Sequence, residues 1–408
     1  MVTIEFSRFS FFDDKQIVRG LYGGRYSFSL PKNDFLAIDS DVIISKKEIT
    51  FPSIGEKSAN NKLHLLLDRA LHSLTNTVTK KPTIYVDKQS QIPLIGAVDF
   101  GIIDRNTNII EIKTHTGCNF NCVYCSVNEG KNKKSKDILV DDNYLLRIAS
   151  QIALTKKHPV EFNINPNGEP LLYPFLEDLI LGLKNIPTCE VISINTNASL
   201  LTKEKIDALQ NAGLSRLNIS LNTLDAFVAK RISGGFFNLN QTLEMIRYAQ
   251  SIGLPVLLAP LIVPTYNDRF KEDLHPLVKF ASSLKSPFPT IAFQKYLENK
   301  SGRNPVKEIP FEDFFASLRP LEKGFNMVLT PQKDYNPFHM YSDTKLIKPF
   351  VKNDVVSARI LCQGRTPREI WCEKDNRLIK VKGLTKFKGN AKVKIVRDKH
   401  NIFLGVPA

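Results

Sequence analysis

The sequence predicts an α/β fold: a parallel sheet with covering helices, set between a β-rich N-terminal region and a small basic β module. Three observations predict it. Across residues 109–297, apolar strand-like runs alternate with helical periods, the signature of repeated βα units. Before them, RYSFSL (25–30) and TIYVD (83–87) alternate apolar and polar side chains, as half-buried strands do. After them, residues 345–400 carry 16 Lys+Arg against 5 Asp+Glu, and KGNAKVKIVRDKHNIFLG (388–405) alternates lysine with apolar residues around a polar turn.

Composition sets the bounds. A chain of 408 residues should divide into two or three domains. We read 1–105 as a β-rich domain, 106–300 as the α/β core, 301–344 as a helical linker and 345–408 as the basic β domain. With 42% hydrophobic and 24% charged residues, the chain has the balance of a soluble globular protein. No apolar run approaches the roughly 20 residues of a membrane span, and MVTIEFSR lacks a basic-then-apolar leader. A cytoplasmic, reduced protein without membrane contact is expected. The formal charge of +15 is concentrated near the C-terminus.

In chain order, residues 1–105 read as strands interrupted by a helix near 61–74, and carry no chemical motif. The core strands are expected at 109–114, 161–165, 190–195, 216–221, 255–263 and 290–296. Reactive groups of such units gather at the carboxyl ends of the strands. The first strand runs into TGCNFNCVYCS (116–126), where Cys118, Cys122 and Cys125 form a C-x3-C-x2-C loop in a chain with six cysteines. Three thiolates in so short a loop suit an iron-sulfur cube with one iron left open. A zinc knuckle would want a fourth ligand at suitable spacing, and disulfides belong to small secreted chains.

The second strand ends in NPNGEP (165–170), a turn that exposes backbone groups and one carboxylate. SINTNA (193–198) closes the third strand, where Thr196 and Asn197 either face the mouth or cap the next helix. RLNISLN (216–222) places Asn218, Ser220 and Asn222 on one face, an interior that wants a ligand or water. The fifth strand is continuously apolar. Gln294 and Tyr296 end the sixth, followed by KSGR (300–303).

The C-x3-C-x2-C spacing, with aromatic Tyr124 before the third cysteine, resembles the radical S-adenosylmethionine (SAM) superfamily. That resemblance implies a partial TIM barrel of (βα)6 type. It also implies a [4Fe-4S] cluster on Cys118, Cys122 and Cys125, with SAM on the open iron and reductive cleavage to a radical that abstracts hydrogen from a C–H bond. Gly168, Glu169 and Pro170 match the family's glycine-glutamate motif, which holds the SAM ammonium group. Thr196 and Asn197 resemble its Thr-Asn-Gly strand end, although Ala198 replaces the glycine. Asn218, Ser220 and Asn222 fall where the family contacts the ribose or carboxylate, Arg231 is the candidate arginine for the carboxylate or else a solvated surface charge, and Leu261 and Ile262 resemble the adenine-packing position or else pack the core. An electron donor such as ferredoxin or flavodoxin is implied.

Other residues stay open. His115 lies three positions before Cys118, as a cluster neighbour or a strand-end histidine facing the barrel edge. Gln294 and Arg303 are candidates to reach a substrate. Cys189 reads as core, and Cys362 and Cys372 as core or hairpin cysteines rather than a second metal site. Lys131, Lys133, Lys134 and Lys136 form a basic cluster after the cysteines, suited to an anionic partner or to solvent. The basic tail resembles a TRAM domain, the OB-like RNA-presenting barrel of some archaeal-type radical SAM enzymes. Lys392 and Lys394 would track phosphates, and Trp371, Phe387 and Phe403 would stack bases; the alternatives are a lysine-rich surface or a basic lid that completes the active site. RNA methylation or modification is the first reading of function. The stretch at 117–130 is also similar to the methanogenesis marker radical SAM proteins, cobalamin-dependent methyltransferases of a peptide arginine, so a protein substrate and bound cobalamin form the second reading. A non-catalytic iron-sulfur protein that binds RNA is the third.

Overall fold

In the computed structural model, residues 1–129 and 135–408 are described. Lys131, Lys133 and Lys134 of the basic cluster lie outside the described residues. At the centre is a six-stranded sheet in the order Val256–Leu258, Arg216–Ile219, Cys189–Thr196, Val160–Ile164, Ile109–Lys113, Gly101–Asp104. The first five are parallel to their neighbours and Gly101–Asp104 is antiparallel to Ile109–Lys113. Parallel strands covered on both faces read as apolar runs, and the Val256–Leu258 and Arg216–Ile219 strands are buried throughout. Helices Asp142–Ala153, Leu176–Lys184, Lys203–Asn211, Leu239–Ser251 and His275–Ser282 connect or follow the strands, each turning apolar residues to the sheet.

The last two expected strands are shorter than their apolar runs. The fifth breaks into Val256–Leu258 and Leu261–Ile262. Pro260, with no N–H to donate, stands at the break. The sixth shrinks to Gln294–Lys295, parallel to Leu261–Ile262, with one isolated bridge from Ile291 to Leu258. Gly101–Asp104 lies beyond the first expected strand and carries no alternation that would announce it.

The N-terminal region forms an antiparallel sheet ordered Phe9–Asp14, Ile17–Tyr22, Tyr26–Pro31, Thr75–Asn76, and a smaller one of Val2–Glu5, Glu48–Phe51 and Ile43–Ile44. After a short helix Lys32–Leu36, the expected helix is Glu56–Leu71, beginning earlier than its apolar period because its first turn is polar. Thr83–Val86 pairs in parallel with Asp137–Val140, just beyond the cysteine loop. One apolar core therefore runs from Phe11 through the central sheet to Leu378. Residues 301–344 hold one helix, Phe311–Phe325.

The C-terminal strands close into a five-stranded barrel ordered Val355–Gln363, Glu369–Lys374, Arg377–Lys382, Leu404–Pro407, Asn390–Arg397, with a core of its own. Exposed and buried side chains alternate along Asn390–Arg397, so Lys392 and Lys394 face out while Val393 and Ile395 face in. Two of the three rings expected to stack bases are in the interior. Trp371 is fully buried, stacked on Phe100 at 4.9 Å, and Phe403 packs on Phe350 at 4.3 Å. Phe387 is 64% exposed. Among the described residues no helix is long and apolar enough to cross a membrane.

Candidate functional site

The cysteine loop leaves the sheet through Thr116–Gly117, a two-residue strand parallel to Asn167–Gly168. A Cβ on Gly168 would stand 1.9 Å from the Gly117 carbonyl oxygen, so the absence of a side chain lets the first and second strand ends touch. The Glu169 N–H donates to that same carbonyl at 3.1 Å. Cys118 and Glu169 are thus fixed to neighbouring positions on the rim.

Cys118, Cys122 and Cys125 carry free thiols and line one cavity of about 500 Å³ at the carboxyl ends of the strands. Among the described residues no three His, Cys, Asp or Glu side chains are arranged to hold one metal ion. Three thiols of one short loop on one cavity suit the separate irons of a cube. Burial, with smaller repulsion from Glu169 and then from the neighbouring sulfurs, pushes the Cys118 thiol well up, and burial pushes Cys122 up to about 11. Such thiols become good thiolates when a cationic cluster offsets the desolvation. The Phe120 N–H donates to the Cys118 sulfur at 3.4 Å.

The loop is braced on two sides. The Asn121 and Val123 N–H groups donate to Ser233 and Ile232 carbonyls at the end of helix Ala226–Ser233, at 3.0 and 2.9 Å. That helix ends on Gly234 at φ 67, where a Cβ would meet the Asn121 carbonyl at 2.0 Å. From the other side Arg303 donates to the Cys122 carbonyl and the Asn128 side chain, each at 2.7 Å, and to the Glu129 carbonyl. Arg303 therefore braces the cluster loop instead of reaching a substrate. Arg365, from the C-terminal barrel, pairs with the buried Glu129 carboxylate at 2.5 Å.

Glu169 is 2% exposed and accepts hydrogen bonds from the Thr196 hydroxyl, the Asn197 N–H at 2.8 Å and the Leu171 N–H at 3.2 Å. Burial outweighs these bonds and raises its pKa to about 7. A cation held at the rim would restore the carboxylate. Asn197 donates to Asn119 at 3.0 Å, and its amide stands 4.0 Å from the Cys118 sulfur. Ala198 takes φ 62, the left-handed conformation that glycine adopts freely, so the strand end keeps its shape without the glycine. The cap of the next helix is Thr202, not Thr196 or Asn197.

Tyr124, Gly168, Glu169, Thr196, Asn197, Asn218, Ser220, Asn222, Leu261 and Gln294 all line the cysteine cavity. The polar face of the fourth strand is satisfied largely by protein: Asn218 bonds Arg216 and Asn195, and Asn222 bonds Tyr124 and the Leu261 N–H. Ser220 lines the wall alongside them.

Several expected residues stand elsewhere. Pro170 and Ile262 are buried behind the wall. Arg231 is on the outer side of its helix, its guanidinium 4.2 Å from the Tyr266 ring centre. His115 is fully buried beside Thr114 and Tyr173, and burial pushes it down to about 3, which makes it a neutral core residue. Lys392 and Lys394 belong to the barrel's outer face. Cys362 and Cys372 are free thiols on paired strands. The wall also contains Lys113, Asn195 and Glu129. Alternation along Ile109–Lys113 turns Glu111 and Lys113 inward, a signal of the kind that marked the fourth strand.

Residues 112–278 match the family model of the radical SAM superfamily. An uncharacterized protein of Methanocaldococcus jannaschii is 31% identical over 90% of this chain and 89% of its own length. The GTP 3',8-cyclase of Listeria monocytogenes serotype 4b is 30% identical over 62% of this chain and 85% of its own. Among solved structures, SuiB of Streptococcus suis aligns with 79% of this chain and 69% of its own, at 15% identity and a TM-score of 0.43.

Proposed function

The chain belongs to the radical SAM superfamily, and from that premise we propose that it is an enzyme that activates a substrate C–H bond beside the three-cysteine cavity. When bound, a [4Fe-4S] cluster and SAM supply a carbon radical strong enough to take hydrogen from an unactivated carbon. The observation that carries the reading is the convergence of Cys118, Cys122 and Cys125 with Glu169 on one cavity. Cys118, Cys122 and Cys125 would hold the cluster. Glu169, backed by Thr196, would accept the SAM ammonium group. Asn197, Ser220 and Leu261 would line the rest of SAM. The five parallel strands plus the short sixth support a partial (βα)6 barrel as the frame of this site.

The test is anaerobic reconstitution with iron, sulfide, SAM and a reductant. The wild-type protein should develop cluster absorption and release 5'-deoxyadenosine. Cys122→Ala should lose both, and SAM cleavage unchanged in that variant would overturn the reading.

A second reading, RNA as the substrate, is supported by the outward lysines of Asn390–Arg397 on a closed five-stranded barrel of TRAM-like size. The burial of Trp371 and Phe403 leaves this face to bind through charge more than through stacking.

A further inference from the structure

The bore of the sheet continues beyond the cysteine cavity. A second cavity of about 490 Å³ shares Asn165, Asn195, Asn218, Ala259 and Gln294 with the first, so the two adjoin along this layer. Its other walls come from the amino ends of the strands and from the segment 335–340.

Its charges are paired internally. Arg105 pairs with Glu111, and Nη2 of Arg216 meets Oε1 of Glu161 at 2.6 Å. What the lining offers a ligand is therefore hydrogen-bonding edges. Nδ2 of Asn163 donates to Ser193 at 2.8 Å and to Oδ1 of Asn195 at 3.0 Å, and Nδ2 of Asn218 donates to that same oxygen at 2.7 Å. Among the described residues this ladder leaves Oδ1 of Asn163 as a free acceptor and Nδ2 of Asn195 as a free donor. Beside them, Nη1 of Arg216 is buried with no partner, on a side chain 3% exposed. Its guanidinium lies 4.6 Å from the Phe288 ring centre and 5.0 Å from that of Phe338, the latter on the segment that lines the cavity. Unpaired buried donors are costly unless something fills them.

We propose that this lower cavity binds a planar heterocycle with amide-type edges, uncharged or singly negative, and presents it to the cysteine cavity above. The proposal rests on the radical SAM reading, because that cavity supplies the chemistry. A free amide acceptor and a free amide donor on the lining are the groups that the edge of a lactam or imide ring pairs with. An oxygen on the ring completes the donors of Arg216, and the Tyr335 and Phe338 rings give the flat apolar wall such a ring needs. The same edges exist on a free heterocycle and on a base within RNA.

Fluorine NMR of the reconstituted full chain tests this with 5-fluorouracil, 5-fluoroorotate, 4-fluorobenzoate and a single-stranded RNA carrying one 5-fluorouridine. Saturable broadening of either ring probe or of the RNA, without broadening of 4-fluorobenzoate, is the expected result. The free rings and the RNA distinguish the two sources. Binding should weaken at least tenfold in Asn163→Ala and in Phe338→Ala, and also in the charge-balanced double variant Glu161→Gln/Arg216→Gln, which leaves no lone buried charge. Binding of 4-fluorobenzoate alone, no saturable binding, or binding indifferent to all three variants would overturn the site. Release of 5'-deoxyadenosine by the unaltered protein is measured separately. Its absence with ring binding intact sinks the radical reading, and its presence without ring binding sinks this proposal alone.

Discussion

Glu169 is an acid at the cavity rim whose chemistry is displaced by its surroundings. Burial holds its pKa near 7 against an ordinary 4.5, although three donors face it. Between those values the folded, cofactor-free protein binds more protons than the unfolded chain, so stability falls as pH rises through that window. The displacement corresponds to about 3 kcal/mol at most. Denaturant midpoints of cofactor-free protein at pH 5 and pH 8 should therefore drop in the wild type relative to Glu169→Gln, and parallel pH dependences would contradict the assignment. The position of Glu169 was legible in NPNGEP because a turn at a strand end is a local matter. Its protonation was not, because the Thr196 hydroxyl and Asn197 N–H that surround it come from a different strand. Lys113 was readable and passed over: it shares the inward face of Ile109–Lys113 with Glu111 and donates to the Asn165 carbonyl at 2.6 Å. Arg231 misleads for the opposite reason, since a cation on a helix can turn outward as readily as inward.

Among the elements, the cysteine loop depends on others to hold its shape. It has no regular structure between Gly117 and Glu129, and two arginines distant in sequence span its carbonyls and its last carboxylate. Arg303→Ala leaves the carbonyls of Cys122 and Glu129 without that donor, a loss of about 2 kcal/mol in loop order. We expect iron to be lost to a chelator roughly 30-fold faster, the equivalent of that energy, with all three cysteines intact. Arg303→Lys, which keeps the charge but not the fork, should recover only part of the retention. Iron retention identical to wild type in Arg303→Ala would remove the brace from the argument. Strand periodicity located the first four parallel strands to within a few residues, because each buries an apolar residue at every second position. It overextended the fifth, where Pro260 withdraws a backbone donor from an apolar stretch, and the sixth, whose regular pairing is confined to Gln294–Lys295.

At the scale of the whole molecule, the C-terminal barrel has two faces with different work. Its inner face is docked: Trp371 stacks on Phe100, Lys380 meets Asp99 at 2.7 Å, and Arg365 reaches Glu129 at the end of the cysteine loop. None of these contacts was legible in the sequence, since they join residues more than 200 positions apart and a buried tryptophan reads the same as a stacking one. The outer face keeps the alternation that the sequence did reveal, with Lys392 and Lys394 in solvent. The two faces can be separated by experiment. Arg365→Ala removes the partner of a buried carboxylate and should raise the rate of iron loss without altering polyanion binding. Lys392→Gln/Lys394→Gln should do the reverse. If this face tracks RNA phosphates, each lost lysine releases about 0.7 fewer counterions from a single strand. The slope of log affinity against log salt should then become shallower by about 1.4, while cluster content and 5'-deoxyadenosine formation stay at the wild-type level. An unchanged slope would mean that the outer lysines keep the barrel solvated, and the RNA reading would lose the surface that supports it.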